Sequence, residues 1–168
     1  MNLEVDIEIE EGYELPLGED EIVFICEHVL TDQEVERDCY VSLTVTSNDE
    51  IQRLNSEWRG IDRPTDVISL ECDRPDDPDL FEGEPAELGV IVLAPDFVRD
   101  NALRLGVAYE DELRLLIVHG MLHLLGYDHI EEDEAREMEE IEDRLVAEVK
   151  GADCVSHIEL TRHEDEVR

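Results

Sequence analysis

With 168 residues and 42% hydrophobic content, the chain has the size of one domain and enough apolar material to fill a core. Its 48 acidic side chains against 13 basic ones leave a formal net charge of -35, which excludes long-range attraction to a polyanion and leaves that task to local groups. No apolar run approaches membrane-spanning length, no basic region followed by an apolar stretch opens the chain, and Cys26, Cys39, Cys72 and Cys154 form no Cys-x-x-Cys pair, so a cytoplasmic protein with buried thiols is expected.

In chain order, alternation over residues 2–9 predicts a strand, and Ile22, Ile25, Cys26 and Val29 mark one face of a helix. A second strand is expected over 40–46. Ser47-Asn-Asp-Glu50 is a capping-box signal, and the helix it opens should carry Ile51, Leu54 and Trp58 toward the core and end at Gly60, which delivers Arg59 to a helix terminus. Residues 66–70 read as a strand, and 71–86, with three prolines and many acids, as an exposed and mobile loop. The apolar run Leu88 to Ala94 fits a central strand buried on both faces, and Pro95 starts a helix that Gly106 closes. A helix from about Glu110 follows, then a charged one over 131–149 with Met138, Ile141 and Leu145 on its apolar side. This order predicts a single α+β domain over 1–150, a mixed four-stranded sheet covered by helices, with 151–168 as a polar, flexible tail in which His157 and His163 are exposed.

The chemistry concentrates in residues 119–129, His-Gly-Met-Leu-His-Leu-Leu-Gly-Tyr-Asp-His. His119 and His123 are four apart and project from one face of a helix, so one metal ion can bridge them. Gly126 stands where that helix would end in a left-handed residue, and the turn through Tyr127 and Asp128 can present His129 as a third ligand. Three neutral imidazoles leave a fourth tetrahedral position open, the arrangement of a catalytic zinc, whereas a fourth protein ligand such as Cys154 would make the site structural. From Leu115 to Leu125 these two histidines are the only ionisable side chains, so the helix should be buried and its imidazoles need partners.

The spacing His-x-x-x-His-x-x-Gly-x-x-His is shared with metzincin proteases, whose general base is a glutamate directly after the first histidine. Here that residue is Gly120, which argues against peptide hydrolysis by the usual route; Asp128 fits a turn or supporting role better than that of a base.

Two separated segments, Val118 to His129 with the following Glu132 to Met138, and Leu54-Asn-Ser-Glu-Trp-Arg59 with Asp62-Arg-Pro-Thr-Asp-Val-Ile-Ser69, resemble the signatures of the YbeY endoribonucleases, over roughly residues 3–149. The resemblance implies a zinc-dependent, single-strand-specific endoribonuclease of 16S rRNA 3′-end maturation and ribosome quality control. One zinc ion would sit on His119, His123 and His129, with Arg59 catalytic. The implied partners are single-stranded ribosomal RNA and the small ribosomal subunit, with no membrane and no DNA. Two departures stand out: Ser69-Leu-Glu71 where the family usually has Ser-Phe-Pro, and Leu88-Gly-Val90 where it has Leu-Gly-Asp. Since RNA is a polyanion, Arg53, Arg59 and Arg63 are the candidate local cations, screening over ~8 Å muting the rest of the acidic surface. Surface ion pairing is the competing reading for Arg53 and Arg63. The alternative functions are a metzincin-like metalloprotease or other hydrolase, and a non-catalytic zinc-stabilised ribosome-assembly factor.

Overall fold

The computed structural model describes residues 1–128 and 130–150. His129 and the expected tail at 151–168, with Cys154, His157 and His163, lie outside the described residues. Nine elements follow in order: β1 Leu3–Ile9, α1 Glu19–Asp32, β2 Cys39–Val45, α2 Asn48–Arg59, β3 Val67–Glu71, β4 Ala86–Leu93, α3 Pro95–Leu105, α4 Tyr109–Leu124 and α5 Glu132–Lys150.

The strands form one mixed sheet in the order β1-β2-β4-β3, with β1, β2 and β4 parallel and β3 antiparallel to β4. The α+β domain expected from the sequence is therefore the one observed. A parallel pair needs a long crossover, which α1 supplies between β1 and β2. Strand β4 is central and has apolar neighbours on both faces: Ile91 and Leu93 join the main core, while Val92 joins Ile51, Ile68 and Ala94 in a smaller cluster on the other side. A bulge slips its register, so that Tyr40 pairs with Glu87 but Val41 with Gly89. Gly89 has φ +139°, and a Cβ there would stand 1.9 Å from the Leu70 carbonyl oxygen, so the bulge requires glycine.

Helix α4 is the axis of the molecule and packs on α1, α3, α5, β3 and β4. All of Leu115 to Leu122 is buried, as expected for a helix apolar on nearly every side. Gly120 lets it approach the sheet: a Cβ at that position would meet three atoms of the Ile91 side chain at 3.0–3.3 Å.

Two local expectations need correction. Trp58 is exposed, and Asn55 takes the buried position beside Ile51, because its side-chain amide donates to the Arg63 carbonyl at 3.0 Å and ties α2 to the turn that follows. Cys72 is exposed, unlike buried Cys26 and Cys39, because it follows the end of an edge strand. The acidic loop after β3 is tethered by Arg37, whose guanidinium donates to the carbonyls of Pro75, Phe81 and Glu84. No helix among the described residues is long and apolar enough to cross a membrane.

Candidate metal centre and active site

The site forms where α4 ends. Gly126 is left-handed at φ +101°; its N–H donates to the His123 carbonyl at 2.9 Å, and that of Tyr127 to Leu122 at 3.0 Å. This paired closure stops the helix and returns the chain across its own last turn. The Tyr127 carbonyl is thereby delivered to His123, accepting from Nδ1 at 2.9 Å. Its hydroxyl donates to Gln33 Oε1 at 2.6 Å, fastening the turn to the end of α1. Burial pushes the Tyr127 phenol above its usual range.

His119 lies one turn deeper with no solvent exposure, and its Nδ1 meets the carboxylate of Glu142, equally buried on α5. A buried carboxylate is costly unless paired, and this pairing answers the need of both groups. Each histidine thus has Nδ1 against an acceptor, which places its proton there and turns Nε2 outward as a lone-pair donor. The two Nε2 atoms stand 3.0 Å apart, with the rings edge to face at 88°.

Two imidazole nitrogens at that separation need a proton or a metal ion between them. A tetrahedral zinc ion with bonds of about 2.0–2.1 Å would hold two nitrogens roughly 3.3 Å apart, a few tenths of an ångström wider than here. The donor set therefore fits such an ion. Among the described residues no group of three His, Cys, Asp or Glu side chains is arranged to hold a metal, and the expected third ligand, His129, lies outside them.

His123 opens into a cavity of about 350 Å³ that Arg59, Ser69, Glu71, Arg74, Gly126, Tyr127 and Asp128 also line. Arg59 is the last residue of α2, which ends in left-handed Gly60 at φ +72° and begins with Ser47 Oγ accepting from the Glu50 N–H at 3.1 Å. Asp128 Oδ1 accepts from the Ile130 N–H at 3.2 Å, the turn role its position suggests. Across the turn, a larger groove of about 1020 Å³ presents Glu34, Glu36, Asp38, Asp76 and Glu82, a wall unsuited to a polyanion.

A family model described as "Endoribonuclease YbeY" matches residues 8–150. The chain belongs to the YbeY family. Among the YbeY relatives, a protein from Micrococcus luteus named Endoribonuclease YbeY is 42% identical over 151 residues, covering 88% of this chain and 92% of that one. One of the same name from Saccharopolyspora erythraea is 36% identical and covers 94% and 86%. The solution structure of TM1509 from Thermotoga maritima superposes with a TM-score of 0.60 at 31% identity, covering 88% of this chain and 90% of that one.

Of the residues singled out from the sequence, His119, His123 and Arg59 come together in this YbeY chain. Arg53 does not: it is paired with Glu50 and Glu57 at 2.7 Å on the outer face of α2. Arg63 is not among the residues lining the cavity either. Sequence reasoning passed over Glu142, although a carboxylate on the stripe of Met138, Leu145 and Val146 signals a buried acid seeking a partner. It also passed over Glu71, the last residue of β3, and Arg74, whose place at the site follows from the fold of the loop after that strand.

Proposed function

We propose that this chain is a zinc-dependent endoribonuclease of single-stranded RNA, with His119, His123 and His129 holding the ion and Arg59 acting on the scissile phosphate. The observation that carries the reading is the pair of imidazoles, each set by its own acceptor, converging beside a cavity that Arg59 lines. Relatives over most of the chain carry the name Endoribonuclease YbeY. Processing of the 16S rRNA 3′ end and ribosome quality control, in association with the small subunit in the cytoplasm, are part of the proposal. A cavity of this size with two arginines in an acidic shell suits a locally accessible strand better than a long duplex.

When bound, zinc supplies Lewis acidity, polarising an oxygen and lowering the pKa of water. The Glu142 carboxylate and the Tyr127 carbonyl accept from the Nδ1 atoms of the two imidazoles and fix the orientation of the rings, as partners of metal-binding histidines do. Arg59 offers planar donors to phosphate oxygens as their charge grows, which stabilises a developing oxyanion more than the resting diester. Glu71 and Asp128 are the carboxylates on the cavity wall able to accept a proton there.

Those two carboxylates also favour a second reading, peptide hydrolysis, because Gly120 does not leave the cavity without a base. One experiment separates the two. Zinc-loaded protein is incubated with single-stranded ribosomal RNA and with a peptide library, with and without chelator, alongside His123→Ala. RNA cleavage lost on chelation and in the variant is expected, with peptides intact. Intact RNA in every zinc-loaded, folded sample overturns the nuclease reading. Cyclic phosphate ends would indicate attack by the ribose hydroxyl; a 5′-phosphate on the downstream fragment would indicate attack by water.

A further inference from the structure

A second guanidinium stands at the cavity, outside both sequence motifs. Arg74 belongs to the acidic loop after β3, yet its side chain lies against the backbone of Gly126 at the histidine turn. A Cβ at Gly126 would meet Arg74 Cζ at 2.8 Å, Nη1 at 2.9 Å and Nε at 3.2 Å. The arginine occupies the space that any other residue would fill with its own side chain, so Gly126 serves both the turn and the seating of this cation. Glu71, two residues along β3 from Ser69, holds Arg74 in place: its two oxygens accept from Nη2 at 3.1 and 3.2 Å.

The surrounding charge gives this placement its meaning. Arg53 is committed to carboxylates on an outer face and Arg37 to loop carbonyls; among the described residues, Arg59 and Arg74 are the cations that line the cavity. The Arg74–Glu71 pair is about half exposed, with side-chain accessibilities of 50% and 38%, and such pairs are weak and readily exchanged. A phosphate diester offers the same two-oxygen geometry to the fork as a carboxylate does.

Resting on the nuclease reading, we propose that Arg74 is a substrate-binding residue: it takes a backbone phosphate neighbouring the scissile one, exchanging Glu71 for it, while Arg59 serves the reacting phosphate. Together they orient a single strand across His123, away from the acidic groove beyond Tyr127. Glu71 restricts this seat to ligands able to displace a carboxylate.

The test uses zinc-loaded full-length protein and a short single-stranded oligoribonucleotide, comparing wild type, Arg74→Ala and Arg74→Lys over a salt series. Arg74→Ala should raise KM about tenfold with kcat within about twofold, and should flatten the slope of log(kcat/KM) against log salt by about 0.7, the share of one phosphate on a single strand. Arg74→Lys should keep the slope and recover part of KM, because a point charge replaces the fork. A structural role alone would lower kcat or thermal stability and leave the salt slope intact. Wild-type KM and slope in both variants, or a loss of kcat with unchanged KM, overturns the role of Arg74 and leaves the nuclease reading standing. No cleavage by wild type overturns both.

Discussion

The two walls of the cavity are built on opposite principles. On one, α4 carries His119 inside the packed core and half-buried His123 at the cavity, with Glu142 buried at 0% exposure behind His119 and Gly120 pressed on Ile91. On the other, Arg59 at the end of α2 and Arg74 on a loop are set by a helix cap and an exposed ion pair. The first wall is anchored in the core, with each imidazole held by its own acceptor, which suits ligands that must keep one geometry. The second faces water, which suits groups that must meet a mobile strand and let it go. Substitutions on the enclosed wall should therefore cost both stability and function, and those on the open wall mainly substrate binding.

The largest effect is expected at His119. Its replacement by alanine removes a ligand and takes the His119 contact from the buried Glu142 carboxylate, so RNA cleavage should fall by roughly a thousandfold or more and stability by about 3–5 kcal/mol. Calorimetry and a cleavage assay on the same preparation check both. If stability is unchanged, the enclosed wall is not the constrained unit described here.

Glu142→Gln sharpens the comparison, because it keeps the shape and an acceptor but removes the charge. Zinc affinity should drop about 10–100-fold in a competition titration, with Arg59 and the cavity unaltered. Gly120→Ala is next: a gain of about 1 kcal/mol in helix propensity is set against about 1–3 kcal/mol of overpacking on Ile91. A net loss of about 1 kcal/mol is expected in denaturant unfolding. Ile91→Val in the same chain should remove it, and persistence of the loss in the double variant would contradict the packing account.

How much of this was legible follows the same division. The enclosed wall is written in local periodicity, so the i, i+4 histidines, Gly126 and the burial of α4 could be read directly. Glu142 was legible in principle, as the acid within an apolar stripe, but its partner is 23 residues away and only the packing of α5 on α4 joins them. The open wall depends on long-range placement. Arg59 was found through its cap and motif, but Arg53, six residues before it, falls on a different face of α2 and pairs there with its i,i+3 and i,i+4 carboxylates. Arg74 reaches the site only because the loop crosses the turn at a glycine. Trp58 was misplaced because helical spacing records a face, not whether a neighbour covers it.

Smaller effects lie away from the cavity. Asp32 accepts from Arg144 at 2.6 and 3.0 Å and so joins α1 to α5 behind the site; that hydrogen bond holds its carboxyl below the usual range. A depressed folded value means the pair stabilises above the unfolded pKa, near about 3.9, and is lost as pH falls through the folded value. Since Arg144 is 47% exposed, Asp32→Asn should cost only about 1 kcal/mol at neutral pH, and melting curves of variant and wild type should converge in acid. Arg53→Ala, on an exposed face, should leave the melting temperature and RNA cleavage at their wild-type values. An effect of Arg53→Ala as large as that of Arg74→Ala would erase the distinction between cations at the cavity and cations on the surface.

The most direct test of the central claim is metal content. Full-length protein purified without chelator and dialysed against trace zinc should carry one zinc ion per chain by elemental mass spectrometry, reduced to a small fraction in folded His123→Ala. Zinc retained at full stoichiometry in that variant, or absent from wild type that still cleaves RNA, would contradict the assignment of this histidine pair as the catalytic metal centre.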